Sequence, residues 1–173
     1  YRISGYGVQH GGGRDNLIEN NLFARNGRAL ASDNRGVLWI TNIPGDSWNL
    51  LERLAAGGIQ YQQPPWSTAY PKLAAIPNDW AKVSDPNQLW RYPQGCVFSR
   101  NLGFANSSFA TESDWAPAKG VFAKFAEMKD NVPAQDPQFV DEAALNLALK
   151  PTSPALAITG FVPIPFDKIG IEP

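Results

Sequence analysis

The chain has 173 residues, a formal charge of −1 and 43% hydrophobic residues, with six Trp, nine Phe and five Tyr. That length suits one domain with a packed core, and no basic block gives it the electrostatic footprint of a nucleic-acid binder. No apolar run nears the roughly 20 residues of a membrane span, and the single Cys96 precludes an internal disulfide, leaving a buried thiol as its plainest role.

The chain opens at Tyr1 with neither an initiator Met nor a signal peptide. A repeat array needs several stacked units and a capped end. The sequence therefore reads as the C-terminal part of a longer protein, with upstream β-helix coils as a partner of its first segment. Residues 1–41 carry a 23-residue echo. Tyr6 to His10 is a strand ending at Gly11-Gly12-Gly13, and Arg28 to Asp33 is a second, with Asp33 in the phase of His10. Leu17, Ile18, Leu22 and Phe23 lie between them, interrupted by Asn20-Asn21, and Val37 to Ile40 continues the winding. Short apolar strands with Asn-rich corners at a fixed period predict a coiled β-solenoid.

Residues 42–94 break the pattern. Asp46-Ser47 starts a helix with Trp48, Leu51, Leu54 and Ala55 on one face, and Gly57-Gly58 ends it. A Pro- and aromatic-rich excursion follows, through Pro64-Pro65-Trp66, Tyr70-Pro71 and Tyr92-Pro93. Long excursions from a regular scaffold are usually functional or disordered, and the aromatic density argues against disorder. Residues 95–135 resume the coils. Cys96 to Leu102 aligns with Asn16 to Leu22 at an offset of 80, and Val121 to Phe125 is a further strand. Residues 136–173 form a capping tail, in which Ser153-Pro154 fits an N-cap followed by Pro at the first helical position.

The phrases HGGGRDNLIENNLF (10–23), DNRG (33–36), PPWSTAYP (64–71), DPQFVD (136–141) and LKPTSPAL (149–156) together resemble right-handed parallel β-helix proteins of the pectate-lyase-like class. The likeness is greatest to bacterial β-helix repeat proteins, some of them glycoside hydrolases. The resemblance implies an all-β, single-stranded parallel β-helix with the excursion as an insertion. It also implies an extracellular or periplasmic protein acting on a cell-wall polysaccharide or oligosaccharide. Hydrolase, lyase and non-catalytic glycan-binding or structural roles all stay open, because one fold hosts many activities.

Within the 23-residue register, His10 and Asp33 stand side by side, with Arg14 and Arg35 just past them in matching turns. Glycoside hydrolysis needs two carboxyl groups, about 5–5.5 Å apart for retention or about 6.5–9.5 Å for inversion. Asp33 is the first candidate and Asp15 its partner, with His10, Arg14 and Arg35 binding substrate. Asp15 equally fits a turn residue bonded to local backbone, and His10 a hydrogen-bonded strand end. A lyase would use Arg14, Arg28 or Arg35 against a uronic carboxylate. No cofactor is implied for a hydrolase; lyases of this kind commonly use calcium, but Asp15, Glu19 and Asp33 are dispersed and form no metal cluster in the sequence. Trp66 and Tyr70 are read as a sugar-stacking wall with Gln60, Gln62 and Gln63 beside it, whereas Trp48 and Trp90 are read as packing residues.

Overall fold

A computed structural model describes residues 1–32, 35–38, 49–112 and 126–169. Its strands are β1 (Tyr6–His10), β2 (Leu17–Glu19), β3 (Leu22–Ala24), β4 (Arg28–Ser32), β5 (Cys96–Ser99), β6 (Leu102–Phe104), β7 (Ser108–Glu112), β8 (Ala126–Lys129), β9 (Phe139–Asp141) and β10 (Asn146–Leu149). Its helices are α1 (Arg35–Leu38), α2 (Leu50–Ala56), α3 (Trp66–Ala69), α4 (Pro71–Ala74) and α5 (Trp80–Val83), with 3-10 turns at Pro154–Ala157 and Phe166–Lys168. Parallel sheets run β1-β4-β7, β2-β5-β8 and β3-β6, and β9 pairs antiparallel with β10.

The expected all-β single-stranded solenoid is therefore corrected. The described residues form several separate short sheets, parallel and antiparallel, with short helices between them: a mixed α/β arrangement without a closed sheet. The fixed period fails as well. Partners lie 22 residues apart at His10 and Ser32, 80 apart at Asn21 and Asn101, and 30 apart at Asn101 and Asn131. The stretch from Val37, read as extended, is helical at α1 as far as Leu38. Val121 to Phe125 lies outside the described residues, and the described strand there is β8.

Alternating side chains of the parallel strands build the core. Ala29, Leu30 and Phe98 are fully buried, and Phe23 and Cys96 nearly so, with Val8 and Ile18 packed against them. A fully buried Phe contributes roughly 1.5–3 kcal/mol. Leu102, Ala155 and Ile158 make a second cluster that docks the C-terminal segment. Ser153 caps that segment's first 3-10 turn by accepting from the Ala155 N–H, with Pro154 just inside.

The corners carry their own hydrogen bonds. Asn20, Arg100 and Asp130 each take a left-handed φ, at 62°, 53° and 52°, and each precedes an Asn. The Asn101 amide accepts from the Asn21 N–H and Asn21 Nδ2, and donates to the Ile18 carbonyl and Asn131 Oδ1. Asn131 Nδ2 donates to the Phe98 carbonyl at 2.7 Å. These bonds satisfy backbone groups that the turns would otherwise strand away from water.

The β9–β10 hairpin is tied back through Glu142, which accepts from the Arg25 guanidinium and from the Tyr1 hydroxyl at 2.8 Å. Those donors, Arg25 first and then Tyr1, lower the Glu142 pKa from 4.5 to about 2. A depressed carboxylate stabilises fully above its unfolded value and loses that contribution as pH falls through its folded value. Amide protection in β9–β10, taken relative to the intrinsic exchange rate at each pH, is thus expected to fall between about pH 5 and about pH 2. Glu142→Gln should flatten that limb; an unchanged profile in the variant would reject the tie.

Candidate glycan-binding groove

Arg14 and Asp15 follow the triple glycine after β1, where the chain turns sharply. Asp15 adopts φ 56°, and its N–H donates to the Gln94 carbonyl at 2.9 Å. Gly95 lies against it in the left-handed region at φ 73°, where an added Cβ would come within 2.3 Å of Asp15 Oδ1. Only glycine leaves the carboxylate in place. Gly95→Ala is expected to cost about 1–2 kcal/mol from its backbone conformation and to displace Asp15 from Lys72. Thermal unfolding and the Lys72 ammonium resonance measure the two effects, and wild-type values for both would reject this account.

Lys72, on α4, donates through Nζ to Asp15 Oδ1 at 2.8 Å. The Arg14 guanidinium lies 5.0 Å from the centre of the Trp90 ring and donates to the Trp90 carbonyl at 3.3 Å. Arg14, Asp15 and Lys72, with Tyr70, Leu73 and Ile76, line a groove of about 470 Å³. At its rim Trp66 and Tyr70, four apart across α3, stack with ring centres 6.0 Å apart and planes 25° from parallel. Trp66 is 43% exposed and Tyr70 55%. Tyr70 both ends α3 and precedes α4, whose first residue is Pro71.

The sequence-derived candidates therefore separate into two groups. Arg14, Asp15 and Tyr70 meet in the groove, with Trp66 stacked on Tyr70 at its edge. His10 is elsewhere and buried. Its parallel partner is Ser32 rather than Asp33, and Asp33, like Trp48, lies outside the described residues. His10 Nδ1 is 2.9 Å from Ser32 Oγ, Nε2 is 2.9 Å from Asn16 Nδ2, and the ring stands edge-on to Phe98. Arg35, half-buried at the start of α1, packs beside Gly11. Trp90 is half-buried under Arg14.

One participant escaped the sequence reading, whereas Cys96 is the buried thiol expected of it. Lys72 completes the groove, and its only local signal is a lone cation after the Tyr70-Pro71 pair. Cys96 touches the histidine, with Sγ 3.6 Å from His10 Nε2 and 3.3 Å from the Gly13 carbonyl. At 1% exposed, that thiol is part of the core. Among the described residues, no three His, Cys, Asp or Glu side chains gather to hold a metal ion.

Comparisons with protein-family models, curated proteins and solved structures give no match for this chain. The likeness to pectate-lyase-like proteins accordingly rests on the phrases quoted above.

Proposed function

We propose that this chain binds polysaccharide, with the groove between the Arg14–Asp15 corner and α4 as its contact surface. The observation that carries the reading is the exposed, near-parallel Trp66–Tyr70 pair beside an ion pair and a guanidinium. Aromatic faces carry partial negative charge and favour the weakly positive C–H faces of sugar rings. Asp15, Lys72 and Arg14 supply acceptors and donors for hydroxyl groups at the rim. Apolar walls with a few placed polar groups are the usual make-up of ligand sites.

Binding is the core of the proposal, and cleavage would need more. A hydrolase would pair Asp15 with a second carboxylate, and the other candidate, Asp33, is outside the described residues. An extracellular or periplasmic setting accords with a polysaccharide ligand. Native gels cast with plant or algal cell-wall polysaccharides test the reading. Retardation in at least one gel supports it, and equal mobility in all gels, with and without polymer, overturns it.

A further inference from the structure

We infer that a second groove, linked to the first by the bonds of its Tyr61 and Gln62 to the Ile76 carbonyl, is a subsite for a neutral, hydroxyl-rich glycosyl unit; the inference rests on the glycan-binding reading above. This groove has a volume of about 420 Å³, and Leu54, Ile59, Gln60, Gln62, Gln63 and Asn78 contribute to its lining. Among the described residues, no Asp, Glu, Lys, Arg or His lines it. The contrast with the ion pair and guanidinium of the neighbouring groove is complete.

The space arises where α2 ends. Gly58 takes φ 65° and has no atom within 4 Å of where a Cβ would stand, so the chain turns away and leaves the groove open. Below it, the buried Tyr61 donates its hydroxyl to the Ile76 carbonyl at 2.9 Å. Gln62 Nε2 donates to the same carbonyl at 3.0 Å. Those two bonds fix the floor. The side-chain amides of Gln60, Gln63 and Asn78 have no hydrogen-bond partner among the described residues, so they are available to a ligand.

Each amide offers two donors and an acceptor, and a sugar hydroxyl both donates and accepts. Ile59, 44% exposed, and Leu54 present apolar surface to C–H edges. A carboxylated or sulfated unit would shed water here without meeting an opposite charge, which is unfavourable. The lining thus selects for uncharged sugars, while charged groups on the same polymer have Arg14 and Lys72 within the adjoining groove.

The test follows side-chain amide resonances of the ¹⁵N-labelled chain during titration with cellohexaose, xylohexaose, mannohexaose and an oligouronate. At least one neutral hexamer is expected to shift the Gln60, Gln63 and Asn78 signals, with the oligouronate about tenfold weaker there. The Gln63→Leu, Asn78→Leu double variant should lose the Gly58 and Ile59 backbone response, and Trp66→Ala should keep it. Unmoved amides alongside a responding Trp66 indole would overturn this subsite and leave the first groove standing. Silence at both would overturn both, and an equal response to the oligouronate would overturn the selection for neutral sugars.

Discussion

Trp66→Ala is expected to weaken retardation by polysaccharide strongly while leaving the fold unchanged. The indole is 43% exposed and stacks on Tyr70 at the groove rim, outside both core clusters. Exposed substitutions away from special features usually change stability by about 0.5 kcal/mol or less. Aromatic anchors of a binding surface commonly contribute about 2 kcal/mol or more, and that loss weakens binding roughly 30-fold. Tyr70→Ala should act in the same direction, with some added cost because Tyr70 also joins α3 to α4. Affinity electrophoresis of the two variants beside the parent decides the matter. Parental retardation of Trp66→Ala would remove the aromatic platform from the proposal.

The largest stability loss is expected from Asn101→Ala. Asn101 is fully buried, and its amide makes four hydrogen bonds across three layers of chain. Truncation leaves the Asn21 N–H without its partner and removes the bonds to Asn21 Nδ2, the Ile18 carbonyl and Asn131 Oδ1; an unsatisfied buried group costs about 1–3 kcal/mol and each lost hydrogen bond about 0.5–1.5 kcal/mol. A total of about 3–5 kcal/mol lowers the midpoint of unfolding by roughly 10 °C in a chain of this length. Calorimetry would show it, with the exposed Asn87 as a control, since among the described residues its amide bonds only to the nearby Asp85. A shift no larger than that of Asn87→Ala would mean that the asparagine column carries little of the fold.

Much of the strand pairing was legible because the chain repeats a phrase. Leu17–Glu19 pairs with Val97–Ser99 at the offset read from the matching Asn-Leu segments. The 23-residue echo does not set the strand register; a 23-residue interval occurs instead at a corner bond. The Ile3 N–H donates to Asn26 Oδ1 across 23 residues, whereas β1 and β4 pair across 22. The corner absorbs the extra residue, and a slip of one exchanges the faces of a strand. For that reason His10 meets Ser32, and the proposed His10–Asp33 pair does not follow from the register.

The all-β solenoid failed on residues whose conformation is set from afar. Val37 and Leu38 suit a strand by propensity, yet they lie in α1, where the Arg91 guanidinium donates to the Gly36 carbonyl at 2.9 Å and also to that of Val37. Nothing near Gly36 in the sequence announces a partner 55 residues later. The groove is similar. Arg14, Asp15, Trp66 and Tyr70 were visible as residue types, but the Asp15–Lys72 contact joins positions 57 apart and has no local pattern. Amphipathic spacing reports a face; it does not report which distant face comes to meet it.

The unequal intervals between paired strands bear on how this protein can change. The same parallel pairing forms whether 22, 30 or 80 residues separate the partners. Doubling a flexible connection adds only about 0.6 kcal/mol of closure entropy. New surface can therefore be grown between neighbouring strands with little penalty to the framework, and the α2–α5 region already occupies one such gap. Inserted surface and scaffold are free to change at separate rates, one by lengthening and the other by keeping its asparagine bonds.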